Sequence, residues 1–298
     1  MVGDVVTDVV ARYRPPLAHG TDTAAEIRTL PGGAGANAAC WAARSGCADV
    51  RLLARVGAES HDWHAEQLRR AGVRARLVID ARAPTATVIS LVDADAERTF
   101  LTDNGAALRL SPADWSPSLL DGVGRLHLSG YLFFADTSRR LALAVMASAR
   151  EHGIAVSVDP ASAGFLEQFG PERFLASAEG PDTLLPNADE ACLLTGLRDP
   201  LRAAAELSRR VPVAVVTLGG AGAVVAEAGA VTARIPPVPA RAVDSTGAGD
   251  AFTGAFLAAR LAGADPAAAA AEGCRAGARS VMLPGGRPDA GAPEGGAY

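Results

Sequence analysis

Lysine is absent from the 298 residues; all 28 basic side chains are arginine. That excludes a lysine Schiff base, a lysine general base and the Walker A phosphate loop, whose lysine must reach the phosphates. Long hydrophobic runs are absent too. No stretch approaches the ~18 apolar residues that a membrane-spanning helix needs. The opening residues, MVGDVVTDVV, carry neither the basic nor the apolar region of a secretory signal, so a cytoplasmic protein is expected. Positive charge is not in excess. At a net charge of −5 the chain has no basic footprint for nucleic acid. Cysteine is scarce, and Cys40, Cys47, Cys192 and Cys274 form no C-x-x-C pair. Cys40 and Cys47 read as one buried stripe of a helix, small core residues in a reducing compartment. His61 and His64 lack a third ligand nearby, so a solvated helix face is a better reading than a metal site.

What is present is 49% hydrophobic residues, enough for one large core with a small appendage. Apolar runs and amphipathic stretches alternate. Strands are expected over 50–56, 125–128, 154–158, 183–185 and 213–218. Helices are expected over 59–71, 138–152, from 188, and over 201–210, 248–262 and 267–281. This β–α alternation predicts an α/β fold, a mainly parallel sheet covered by helices on both faces. Ligands then bind beyond the carboxyl ends of its strands. Two segments break the pattern. Residues 5–12 and 24–30 are strand-like around a turn, and 85–93 with 98–102 form a hairpin about 94–97. Together they suit a small β-sheet lid over a cleft. The expected division is a core of 1–8, 32–83 and 104–286, a discontinuous lid of 9–31 and 84–103, and a flexible Gly/Pro/Ala-rich tail of 287–298.

The segment richest in chemistry is Val243-Asp244-Ser245-Thr246-Gly247-Ala248-Gly249-Asp250. Small residues at the mouth of a helix leave backbone N–H groups unobstructed, and the helix dipole adds positive potential. Such an anion cradle is what phosphoryl transfer needs, because negative charge spreads over the phosphoryl oxygens in the transition state. Asp250 falls in the first helical turn, where the dipole favours its ionised form. It reads either as a base for an attacking hydroxyl or as a helix-capping acid.

Asp244-Ser245-Thr246-Gly247-Ala248-Gly249-Asp250 resembles the C-terminal signature of the ribokinase-like (PfkB) carbohydrate kinases. Pro31-Gly32-Gly33-Ala34-Gly35-Ala36-Asn37, with Ala42 to Gly46 after it, resembles the N-terminal signature. Gly3-Asp4 through Asp8 is similar to the family's first strand and substrate-binding acid. Asn187-Ala188-Asp189-Glu190 is similar to its N-x-x-E motif, and Val216-Thr217-Leu218-Gly219 with Gly222 to its nucleotide-binding turn. The resemblance spans nearly the whole chain. It implies a ribokinase-like fold and an ATP-dependent kinase that phosphorylates a primary hydroxyl of a sugar.

By the same resemblance, Asp250 is the base and Gly247, Ala248 and Gly249 form the anion hole. Asp8, Gly32, Gly33 and Asn37 hold the substrate, with Asn37 alternatively a helix cap. Asn187, Thr217, Gly219, Gly222 and Gly273 bind ATP. Glu190 acts on Mg2+ through water, or is simply a first-turn acid. Backbone groups of Asp244, Thr246 and Gly285 match a loop for a monovalent cation, K+. Arg98, in the lid, either reaches substrate or stays solvated. Ribokinases proper carry Lys where this chain has Ala34 and an acid near Gly130, so strict ribose specificity is not implied. Asp159-Pro160-Ala161-Ser162 resembles the ribokinase and nucleoside-kinase form of its loop.

Two rival readings are a nucleoside kinase on the same scaffold, with Tyr13, Phe100, Phe133 or Phe134 against a base, and a non-catalytic sugar- or nucleotide-binding protein. Neither a nucleic acid nor a membrane partner is expected. The open strand edge of a lid predicts a homodimer through it.

Overall fold

The computed structural model describes residues 1–14, 16–93 and 98–288, with Arg98 described by its backbone alone. The hairpin turn at 94–97, the side chain of Arg98 and most of the expected tail therefore lie outside the described residues.

Twelve strands and nine α-helices occur among the described residues. The chain opens with β1 (Val6–Tyr13) and β2 (Ala25–Gly32), followed by α1 (Ala34–Arg44), β3 (Val50–Gly57), α2 (His61–Arg70) and β4 (Val73–Asp80). A hairpin of β5 (Ala86–Val92) and β6 (Arg98–Asp103) comes next. Regular alternation resumes with β7 (Arg125–Ser129), α3 (Asp136–Glu151), β8 (Ala155–Asp159), α4 (Ala163–Phe169), α5 (Pro171–Ser177), β9 (Thr183–Leu184), α6 (Ala188–Thr195), α7 (Pro200–Leu207) and β10 (Val213–Thr217). The antiparallel β11 (Ala223–Glu227) and β12 (Ala230–Ile235) precede α8 (Ala248–Leu261) and α9 (Pro266–Ser280).

The main sheet runs β12-β11-β10-β9-β8-β7. It continues through Val2, which bridges in parallel to Leu128 and Leu53, to the parallel pair β3-β4. Pairs β7–β8, β8–β9 and β9–β10 are parallel, and only the β10–β11–β12 edge is antiparallel. A parallel sheet covered on both faces reads as a near-continuous apolar run, and β10 shows it from Val213 to Val216. Ala214 and Val216 join the core under α3, α6 and α7, whereas Val213 and Val215 pack with Phe252 and Phe256 of α8. Alternate side chains thus enter opposite layers, as the two-residue period of a strand requires. The expected α/β sandwich is what the chain forms.

The second sheet has the order β2-β1-β5-β6. Its central pair β1–β5 is parallel, and the flanking pairs are antiparallel. Val6, Thr7 and Asp8 already belong to this sheet, paired with Gly32, Pro31 and Leu30.

Two expectations fail here. His64 is fully buried rather than solvated, and its Nε2 lies 3.0 Å from Thr7 Oγ1. Helix α2 packs beside the lid strand β1, so the face that composition marks as polar is covered. Cys47 lies beyond the end of α1, which stops at Arg44, so it shares no helical stripe with buried Cys40.

Candidate active site

A cavity of about 780 Å3 opens between the lid sheet and the carboxyl ends of the main-sheet strands. That is within the size range of small-molecule sites and in the place an open α/β sheet offers one. Asp8, Gly33, Asn37, Asn187, Glu190, Thr217, Thr246, Gly247, Ala248, Gly249 and Asp250 all line it.

The floor is built where α1 and α8 begin. Gly33 caps α1 at φ 98°, and a Cβ there would stand 2.7 Å from Asp4 O, so no other residue fits. Having no side-chain cap of its own, α1 takes one from a distance. Asp4 accepts hydrogen bonds from Ala34 N (2.7 Å), Gly35 N (3.2 Å) and Ser129 Oγ (2.8 Å). Asn37 lies inside α1 and is not its cap; its Nδ2 donates to Asp250 Oδ2 at 2.8 Å.

Helix α8 starts at Gly247, which is left-handed at φ 73°. The first α-helical bond is Ala251 N–H to Gly247 O, so the first-turn amides have no carbonyl one turn back. Ala248 N–H instead donates to Ser245 O at 3.3 Å, while the missing Cβ of Gly249 leaves open space. A Cβ on Gly247 would stand 2.4 Å from Gly286 Cα, so the cradle is closed from behind by the 281–287 segment.

The Asp250 carboxyl is raised from 3.8 to about 8, first by burial. The Asn37 bond opposes the rise, and Asp159, Asp4 and Asp8 add to it. The expectation that the helix dipole keeps Asp250 ionised is therefore reversed in the ligand-free protein. A dipole contributes about 1 kcal/mol, whereas desolvation beside other carboxylates shifts a buried acid by several times that. Asp8 is held at about 6 by burial, with Arg287 opposing and Asp4 and Asp244 reinforcing. Gly32 leaves room for it, because a Cβ there would fall 2.1 Å from Asp8 Oδ2.

Asn187 and Glu190 form a reciprocal capping box on α6. Glu190 N–H donates to Asn187 Oδ1 and Asn187 N–H to Glu190 Oε2, both at 2.9 Å. Glu190 nonetheless faces the cavity, and its pKa is raised by burial and then by Asp159. Thr217 lines the cavity next to Asn187, to which it is bridged. Gly219 and Gly222 form the turn after β10, with Leu218 N–H on Gly222 O at 2.8 Å, and neither lines the cavity. Gly273 sits in α9 under the Phe252 ring, where a Cβ would come within 2.6 Å. The Asp244 carboxylate accepts from Thr246 N at 2.8 Å and Gly285 N at 3.0 Å, fixing the loop before α8. Among the described residues no group of three or more His, Cys, Asp or Glu is arranged to hold a metal ion by itself.

Further cavity residues have no site role in the sequence reading, among them Asp4, Asp159, Tyr131 and Phe165. Asp4 supports α1 as above. Asp159, at the carboxyl end of β8, accepts from Ala161 N at 2.8 Å and Thr253 Oγ1 at 3.1 Å; Ala161 takes the strained φ of 74°. An acid ending a parallel strand is a signal that was there to be used. Tyr131 and Phe165 pack edge to face, 5.6 Å between ring centroids, on the wall below the lid. Another omission, Arg287, was expected in a flexible tail. It is buried, with Nη2 on Gly32 O (2.7 Å) and Nε on Asn37 Oδ1 (3.3 Å). Glycines around it suggested disorder, yet they are what lets the chain approach Asn37.

Comparison with known proteins agrees with this geometry. The pattern of the pfkB family carbohydrate kinases matches residues 1–291. A fructokinase of Klebsiella pneumoniae is 31% identical over 275 residues, 87% of this chain and 82% of its own. A ribokinase of Mus musculus is 29% identical, covering 86% of this chain and 79% of its own. The fold of a putative ribokinase II from E. coli, solved in complex with ATP and Mg2+, superimposes with a TM-score of 0.84 at 23% identity, over 96% and 92% of the two chains. The chain belongs to the pfkB family of carbohydrate kinases. It is a sugar kinase of the ribokinase type. No described helix is long and apolar enough to cross a membrane.

Proposed function

We propose that the protein transfers the γ-phosphoryl group of ATP to a primary hydroxyl of an uncharged sugar, with Asp250 as general base. One observation carries the reading: a single half-buried carboxyl stands in the first turn of α8, at the amide cradle, facing the same cavity as Asp8 and Asn37. The acceptor oxygen attacks the γ-phosphorus and its proton passes to an Asp250 carboxylate oxygen. The bond from the γ-phosphorus to the bridging oxygen breaks, and ADP leaves. The helix N-terminus faces the phosphoryl oxygens, where charge accumulates. A base with a pKa near 8 suits a proton transfer at neutral pH. The lid excludes water as a competing acceptor.

The donor set fits Mg2+ accompanying ATP. Glu190 is raised first by burial and then by Asp159 at the cavity wall, an excess of negative charge that a divalent cation relieves. Glu190 would hold the ion through water, and the ion would neutralise charge on the phosphates. A K+ ion is assigned to backbone carbonyls of Asp244 and Thr246 beside Gly285, in the loop that the Asp244 carboxylate shapes.

The absence of charge on the acceptor follows from the walls. Asp4, Asp8 and Asp103 line the cavity, and no arginine does among the described residues. A carboxylate or phosphate on the acceptor would meet acids. A nucleoside is the second reading, favoured by Phe100, Tyr131 and Phe165 on the wall, where a base can stack. Exposed Ile27 and Leu101 on the outer strands of the lid sheet favour a homodimer through the lid.

The test is ADP release with D-ribose, D-fructose, adenosine, fructose 6-phosphate and gluconate as acceptors, with and without K+. Turnover of a neutral sugar and none of the anions is expected. A preferred anionic acceptor refutes the neutral-sugar assignment, and no ADP release with any acceptor would favour a binding protein.

A further inference from the structure

Behind the base, the chain places one cation among acids. Trp41 Nε1–H donates to Gly286 O at 3.0 Å and Gly285 N–H to Asp244 at 3.0 Å, so the segment after α9 is tied to α1 and to the cradle loop. Gly286 lies so close to Asn37 that a Cβ would stand 2.3 Å from its Nδ2. Arg287 follows, the only arginine among the described residues that is buried, at 9% exposure.

The hydrogen bonds it makes have a direction. An amide side chain has one accepting and one donating end, and swapping them costs little unless the neighbours discriminate. The Arg287 guanidinium only donates, and it holds Asn37 Oδ1. The NH2 end is thereby turned to Asp250, to which it donates at 2.8 Å. Were the amide reversed, a donor would face the guanidinium and an acceptor would face the carboxylate. The charge also matters. Asp4, Asp8 and Asp250 all attract Arg287. Asp4, Asp8, Asp159, Glu190 and Tyr131 face Asp250 without a positive charge of their own.

We propose that Arg287 is a positioning residue of the phosphoryl-transfer site. It locks the Asn37 amide in the orientation that donates to Asp250 and supplies the positive charge that lets Asp8 and Asp250 ionise in one cavity. This rests on Asp250 as the base. It adds a dependence of the base on a residue that never touches substrate, delivered from the segment beyond α9.

Arg287→Ala and Arg287→Lys are assayed with ATP and the better of D-ribose and D-fructose across pH 5–10, beside Asp250→Asn and with melting curves for each. In Arg287→Ala, kcat falls about 10- to 100-fold and the acidic limb of kcat/KM moves about one unit to higher pH, while the KM for ATP changes less than about threefold. Guanidinium ion added at millimolar concentration restores part of kcat. Arg287→Lys keeps the limb in place, because it keeps the charge, but loses about tenfold in kcat, because an ammonium lacks the two-pronged fork. A lowered melting point with an unmoved limb and near-normal kcat would mean a merely structural residue and overturn the proposal. Should Arg287→Ala not fold, a wild-type kcat in Arg287→Lys overturns it equally. An inactive Asp250→Asn beside unaffected Arg287 variants sinks this inference alone; an active Asp250→Asn sinks the base and the inference together.

Discussion

Replacing Asp250, the proposed base, should make the ligand-free protein more stable while stopping its chemistry. In Asp250→Asn the carboxyl that is raised from 3.8 to about 8 is exchanged for a neutral amide of the same shape, and the bond from Asn37 Nδ2 survives on the new carbonyl. The sign follows from linkage. Below pH 3.8 the acid is protonated in both folded and unfolded chains, and the wild type bears no penalty. As pH rises the unfolded carboxyl ionises freely while the folded one resists, so wild-type stability is lost progressively until pH passes about 8. Each pH unit in that window is worth about 1.36 kcal/mol, giving a ceiling of about 5 kcal/mol at pH 7.5. Water in the cavity screens the carboxyl, so about 2–3 kcal/mol is expected, which for a chain of 298 residues is a melting point higher by roughly 3–5 °C. Thermal melts of both proteins from pH 4 to 9 read it directly. The two curves should converge near pH 4 and part towards pH 8. Equal melting points at pH 8, or an advantage of the variant that is already full at pH 4, would refute the argument.

Gly286→Ala should lower kcat at least tenfold, because a Cβ 2.3 Å from Asn37 Nδ2 must displace the amide from Asp250; steady-state kinetics check it, with wild-type kcat as the contrary result. Asp80→Asn should destabilise the fold by about 2 kcal/mol in denaturant melts. Its buried carboxylate accepts from Arg55, Arg109 and the amides of Arg82 and Ala83, joining β3, β4 and the segment after the lid.

How far the sequence revealed the site depended on how local each device is. The cradle at Gly247–Asp250 is a device of a single helix turn, visible as spacing, whereas Asn187 and Glu190 are singled out by the family resemblance and their reciprocal capping box comes from the structure. The alternation of apolar runs placed the β10 strand and the long helices to within a residue or two. Strands β4, β11 and β12, and the split between α4 and α5 at Gly170, went undelimited: β4 and β12 are partly exposed, and turn residues interrupt the rest. Arg287 and Asn37 are 250 positions apart, so no local pattern joins them. His64 belongs to a helix that reads as polar until β1 covers it. The protonation of Asp250 depends first on burial in the assembled cleft and then on Asp159, Asp4 and Asp8 arriving from other strands or loops, and the helix dipole, the one local influence, points the wrong way.

The central claim is that Asp250 takes the acceptor's proton. Single-turnover transfer from γ-labelled ATP to the best neutral acceptor, measured for the wild type and Asp250→Asn with ATP affinity determined in parallel, tests it most directly. The account predicts transfer slowed by about 10²-fold or more with ATP affinity within about threefold of wild type. Transfer within tenfold of wild type would contradict it.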